Sequence, residues 1–160
     1  MRLAEYTDYT LRVLMSCAAQ PDGLITIAEL AERHGVSKNH LMKIVNDLAR
    51  QGVLQTTRGR GGGLCLAKPA ADIRVGDVVR NSETDFRLAE CFDARTNACT
   101  LTPSCRLKGV LQGALDAYFK ALDGVTLAEL VAPPPPRSGG RRSVPIVAAV
   151  PVRRPAAKRG

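Results

Sequence analysis

The chain has 160 residues, a formal net charge of +8, five cysteines and no tryptophan. That length suits one domain with additions, large enough to bury a core without disulfide help, and the scarcity of aromatics makes that core aliphatic. No run of about 18 apolar residues occurs, so no membrane span is expected. An odd cysteine count, with three clustered, speaks for metal or redox chemistry over a disulfide framework.

The opening MRLAEYTDYTLRVL carries Glu5 and Asp8 where a signal peptide would be apolar, so a cytoplasmic protein with reduced thiols is expected. Charge is uneven. Residues 137–160 hold seven Lys/Arg and no Asp/Glu, and residues 33–74 hold eight Lys/Arg against Asp47 and Asp72. Such a local excess is either a solvated surface or the footprint of a polyanion.

Residues 4–20 have a helical repeat: Leu3, Tyr6, Thr10, Val13, Leu14 and Cys17 recur at three- and four-residue steps. Pro21-Asp22-Gly23 ends it. Thr26 is placed to cap a helix starting at Ile27, with Glu29 in its first turn. Ile27, Leu30 and Ala31 form its inner face, and Gly35 supplies the left-handed turn that closes it. Ser37 caps a second helix whose buried face is Leu41, Ile44, Val45 and Leu48, and Gly52 stops it. Two short helices joined by a glycine turn make a helix-turn-helix. The second presents Lys38, Asn39, His40 and Lys43 at its N-terminal, outward side, the residue types that meet base edges and phosphates in a major groove.

VLQTTRGRGGGLCLAK then reads as two strands around the tip Arg58-Gly59-Arg60-Gly61-Gly62-Gly63. A hairpin in that place is a wing. Its glycines let the backbone approach a duplex closely, and Arg60 is placed to enter a minor groove or clamp a phosphate. A Walker-type phosphate loop is excluded, because no Gly-Lys-Ser/Thr follows. The candidate DNA contacts are therefore Thr26, Ser37, Lys38, Asn39, His40, Lys43, Arg58, Arg60 and Gly61.

IRVGDVVR is a connector with a helix start near Val75. Residues 106–122 form a longer amphipathic helix with Leu107, Leu111, Leu115, Tyr118 and Leu122 on one edge. It is surplus to a winged-helix module and suits a homodimer matched to a palindromic operator in double-stranded DNA. Thr126 caps a final turn, LAELV. From Pro133 on, a Pro-, Gly- and Arg-rich tail without period is expected to be disordered. The expected division is a winged helix-turn-helix over 1–80, a cysteine loop over 81–105, a dimerisation helix over 106–131 and the tail over 132–160. The fold class is mainly α with a small β-wing.

Cys91, Cys99 and Cys105 are separated by seven and then five residues, with no C-x-x-C pair. Structural zinc sites use such short pairs. Looser spacing lets a loop wrap a larger object such as an iron–sulfur cluster. Pro103 stiffens the loop, and the positive end of the helix starting near Cys105 stabilises thiolates. The only histidines, His34 and His40, lie in the helix-turn-helix segment, so no base is at hand to make a cysteine an enzymatic nucleophile. No enzyme is expected. Cys17 and Cys65 sit in apolar patterns and read as core residues.

The order YTDYTLRVL, SKNHLMKIVNDLA, RGRGGGL, three cysteines and an apolar helix resembles the winged-helix regulator family that contains NsrR, IscR and CymR, over residues 1–131. It is most similar to the nitric-oxide-sensing repressor branch. The resemblance implies a homodimer with an iron–sulfur cluster near each dimerisation helix, held by Cys91, Cys99 and Cys105. A 4Fe-4S cluster is favoured and a 2Fe-2S cluster is compatible. The cysteine-metabolism branch typically lacks the three-cysteine loop, which is complete here. The iron–sulfur-assembly branch has a histidine just after the third cysteine, where this chain has Arg106, Leu107 and Lys108. The branch it resembles most points instead to Asp8 as fourth ligand, reaching the partner's cluster; the competing reading makes Asp8 a salt-bridge or helix-end residue.

The resemblance further implies a repressor that releases its operator when nitric oxide attacks the cluster, controlling nitric-oxide-detoxification genes. Alternatives are a sensor of the same family for iron supply, iron–sulfur status or redox state, and a metal-binding scaffold or protein-interaction module.

Overall fold

The computed structural model describes residues 2–133, so the tail beyond them lies outside the described residues. Six helices and one two-stranded antiparallel sheet follow in chain order: α1 (Glu5–Ala18), α2 (Ile27–His34), α3 (Lys38–Arg50), β1 (Leu54–Thr57), β2 (Gly63–Leu66), α4 (Val75–Ser82), α5 (Arg106–Asp123) and α6 (Leu127–Val131). The core is aliphatic, as the composition requires. Val13 and Leu14 of α1, Leu30 of α2, and Leu41 and Ile44 of α3 are fully enclosed. No helix among the described residues is long and apolar enough to cross a membrane.

Local chemistry sets the helix-turn-helix. Thr26 and Glu29 form a reciprocal capping box at the start of α2. Gly35 closes α2 with φ of 66°, a conformation costly for any residue with a Cβ. The Ser37 hydroxyl accepts from the His40 amide at 3.3 Å to open α3. The buried face of α3 is Leu41, Ile44, Val45 and Leu48, as its periodicity predicts. Leu54 pairs with Leu66 and Thr57 with Gly63, so residues 58–62 form the wing tip. Ile25 and Leu64 exchange backbone hydrogen bonds of 3.1 and 2.8 Å, fastening the wing's second strand to the entry of α2.

Two long-range features go beyond the sequence pattern. The first is the place of α6. Leu127 is buried among the core residues of the winged helix, its amide donates to Ile73 O at 2.8 Å, and the Val75 amide donates to Val125 O at 3.0 Å. The last turn of the expected dimerisation segment thus returns to complete the winged-helix core. The second is the start of α1, where no side chain of its own caps the helix. Instead Glu83, just past α4, accepts from the Ala4 amide at 3.0 Å and from the Thr7 hydroxyl at 2.9 Å. The negative carboxylate at the helix N-terminus satisfies orphan donors from outside the helix.

α5 stands apart. None of its residues is buried, and Leu107 and Val110 are 61% and 68% exposed. It is joined to the body at its C-terminal end, where Arg80 of α4 makes two hydrogen bonds to Asp123, of 2.6 and 2.7 Å. Arg80 also lies 4.3 Å over the Phe119 ring, a cation–π contact.

Candidate nucleic-acid interface and cysteine loop

The outward face of α3 is built from Lys38, Asn39, Met42, Lys43 and Asn46, all exposed. Met42 and Asn46 continue the stripe begun by Lys38 and Asn39 at three- and four-residue steps. They are the complement of the buried face and were legible in the same periodicity. His40 differs from its expected outward position. It is half-buried, stacked 6.4 Å from the Tyr6 ring and edge-on at 5.4 Å to Tyr9. One residue before Leu41 and four before Ile44, it lies on the flank of α3 that meets α1. Lys43 remains exposed, with Nζ 6.0 Å over the Tyr6 ring.

α1 thus grips the recognition helix directly. The Tyr6 hydroxyl also donates to the Asp47 carboxylate, which pairs with Arg50. Burial, and then the hydrogen bond to Asp47, push the Tyr6 hydroxyl up to about 12, while the Tyr6 hydrogen bond and Arg50 hold Asp47 below its ordinary value. Thr26 and Ser37, expected at the interface, serve first as caps. The Thr26 hydroxyl both accepts from the Glu29 amide and donates to the Glu29 carboxylate at 2.8 Å.

At the wing, Arg58, Gly59, Arg60 and Gly61 are exposed. Gly59 and Gly61 have φ of 98° and 79°, which favour glycine. A Cβ on Gly62 would stand 2.2 Å from Thr57 O, so the tip turns too tightly for any side chain there. Two arginines therefore project from a narrow ribbon with no bulk between them.

The segment from Thr84 to Cys105 is held by its own polar side chains. Asp85 and Asp93 clamp Arg87, and Asp93, with a side chain only 10% exposed, also takes Arg95. Hydrogen bonds from the Arg87 side chain and then from its backbone amide bring Asp85 down to about 2. Cys91, Cys99 and Cys105 are free and half-buried, and Cys105 is the residue from which α5 starts. Cys17 is buried and its thiol pushed up to about 11 by desolvation, as a core residue requires, whereas Cys65 is half-buried. Asp8 lies on α1 with its carboxylate held by Arg12 at 2.6 and 3.0 Å and its side chain 45% exposed.

A family model described as an iron-dependent transcriptional regulator, Rrf2, matches residues 3–133. The chain belongs to the Rrf2 family. It is 50% identical over 132 residues to the HTH-type transcriptional regulator NsrR of Bacillus subtilis, covering 82% of this chain and 90% of that protein. It is 45% identical over 131 residues to protein aau3 of Rhizobium meliloti, covering 82% and 85%. Among solved structures, Staphylococcus aureus CymR in its oxidized form matches with a TM-score of 0.67 at 25% identity, covering 84% of this chain and 98% of that one. T. potens IscR matches with a TM-score of 0.66 at 23% identity, covering 82% and 86%, which speaks to the fold.

The chain is accordingly an Rrf2 transcriptional regulator of the NsrR type, a DNA-binding protein and not an enzyme. Among the described residues, no three His, Cys, Asp or Glu side chains converge on a point where one metal ion could sit. An iron–sulfur cluster asks for something different. Its irons take thiolates at separate positions, so three free, half-buried thiols on one loop fit that donor chemistry. The roles that the sequence pattern does not foretell, of Tyr6, Tyr9 and Glu83, are contacts across the fold. The only sequence signal was two tyrosines on a helix otherwise read as core.

Proposed function

We propose that this Rrf2 protein is an iron–sulfur-dependent repressor that senses nitric oxide, binding a palindromic operator as a homodimer and releasing it when the cluster is attacked. Cys91, Cys99 and Cys105 would hold the cluster, with Asp8 of the other protomer as fourth ligand. When bound, the cluster supplies iron that reacts with nitric oxide. The regulated genes are then those for nitric-oxide detoxification. The exposed apolar edge of α5, with Leu107 and Val110, supports the dimer.

One observation carries this reading: four consecutive residues of α1 engage three different things. Tyr6 and Tyr9 hold the recognition helix, Thr7 is tied to Glu83 at the entry to the cysteine loop, and Asp8 presents its carboxylate at the surface with Arg12. A change in what Asp8 binds therefore acts on a helix that positions α3. Recognition helices of a dimer must meet major grooves about 34 Å apart, and a hundredfold loss of affinity needs only about 2.7 kcal/mol. The test is anaerobic purification with iron and sulfide analysis, then stepwise nitric oxide addition while operator binding is followed. Protein that is iron-poor after reconstitution yet binds the operator fully defeats the reading. If the Asp8→Ala protein holds cluster, binds and releases like the parent, the Asp8 part alone fails.

A second reading, response to iron supply, is favoured by the iron-dependent description of the family. Operator release by chelation at concentrations of nitric oxide that leave binding intact distinguishes it.

A further inference from the structure

We propose that Glu90 and Asn97 are positioning residues that hold the loop in the shape in which Cys91 and Cys99 capture the cluster. The inference rests on the iron–sulfur reading above. Glu90 immediately precedes Cys91, and Ala98 immediately precedes Cys99. The Ala98 amide donates to the Glu90 carboxylate, so a single hydrogen bond brings together the residues next to two thiols. Asn97 continues the chain of bonds. Its Oδ1 accepts from the Cys99 amide at 3.1 Å, and its Nδ2 donates to the Thr102 hydroxyl at 3.0 Å. The Thr102 amide donates to Cys99 O at 3.3 Å, and Thr102 O accepts from the Cys105 amide at 3.5 Å.

Hydrogen bonds, joined by the peptide links of Asn97-Ala98-Cys99, thus run from the neighbour of the first thiol to the backbone of the third. Every member is a backbone group or a non-sulfur side chain, which leaves all three thiols free as donors. Such a loop has already met much of the backbone entropy cost that capture by a slack chain would incur. Glu90 itself is exposed, so it contributes little to the core. Its carboxylate acts as a hydrogen-bond acceptor, a role a glutamine amide oxygen can fill.

The test uses the full chain with Glu90→Ala, Glu90→Gln and Asn97→Ala. Hydrogen–deuterium exchange of the apo-protein reports the loop amides over 90–105 without any cluster. After anaerobic reconstitution with iron and sulfide, the rate of cluster loss to EDTA is followed by visible absorbance. Faster exchange over 90–105 and about tenfold faster cluster loss are expected for Glu90→Ala and Asn97→Ala, the scale of one lost hydrogen bond. Glu90→Gln is expected within about twofold of the parent on the same scale.

Cluster loss at the parental rate from Glu90→Ala overturns the proposal, as does loop exchange that the substitution leaves unchanged. Glu90→Gln behaving like Glu90→Ala also overturns it, because charge rather than position is then at work. Should Glu90→Ala not fold, Asn97→Ala carries the same comparison. A parent protein that takes up no iron and sulfide defeats the iron–sulfur reading itself, and that result is separate from a loaded parent whose variants match it.

Discussion

Replacing Tyr6 by Phe removes one hydroxyl and keeps the ring against His40 and Lys43. What is lost is the hydrogen bond to Asp47, the polar tie between α1 and the recognition helix. A hydrogen bond to a charged group contributes about 1.5–3 kcal/mol. The Asp47 side chain keeps 21% of its exposure and retains Arg50, so the loss falls at the low end, about 1.5 kcal/mol. Urea denaturation at fixed protein concentration reads that directly, the concentration being held because a dimer's stability depends on it.

The same tie biases α3 toward one orientation on α1. A bias of that size shifts an orientation equilibrium by at most about tenfold per protomer. Operator affinity is expected to fall within that limit. The slope of log affinity against log salt is expected to stay constant, because no phosphate contact has been removed. Arg60→Ala is the contrast, lowering the slope by about one per protomer, about two for the dimer. Affinity unaltered in Tyr6→Phe, or a changed salt slope, refutes the claim that α1 positions the recognition helix through this bond.

Gly76→Ala places a Cβ 1.9 Å from Asp123 Oδ1, so the Arg80–Asp123 pair joining α4 to α5 has to shift. The atoms in the way are the ends of half-exposed side chains, so the cost is small, about 0–1 kcal/mol; it is read as faster amide exchange where α5 meets α4, and unchanged exchange there counts against this joint. Val110→Asp disturbs little within a protomer, since Val110 is 68% exposed. The variant is expected to fold, sediment as a monomer and bind the operator weakly, whereas a persistent dimer places the interface elsewhere.

The Asp85 carboxylate is brought from its ordinary 3.8 to about 2 by Arg87. A depressed carboxylate contributes its stabilisation in full above the unfolded value and loses it as pH falls through the folded one. Protection of the loop amides around Arg87, corrected for the pH dependence of intrinsic amide exchange, is therefore expected to fall as pH drops from about 4 to about 2, and constant protection contradicts the clamp.

Those parts of the site that depend on neighbours in the chain were legible in the sequence. The caps at Thr26, Ser37 and Thr126, the α3 buried face and the glycine-rich wing tip follow from rules of three- and four-residue reach, and the structure has each of them, with Gly63, expected in the tip, already paired in β2. His40 was misplaced for a reason of the same kind. Its side of α3 was judged from the first turn's polarity, while the ring is decided by two tyrosines on another helix.

The sequence by itself determined which residues are available: an aliphatic core, a basic stretch over 33–74, two wing arginines and three thiols on one loop. Periodicity and capping are local, so they survive without a fold. Tertiary structure alone decided how the parts are joined. It brought Glu83 to the start of α1, Tyr6 to Asp47, Arg80 to Asp123 and Leu127 back into the core. Those pairs lie about 40 or more residues apart in the chain, and only burial of the shared apolar faces brings them within reach of one another.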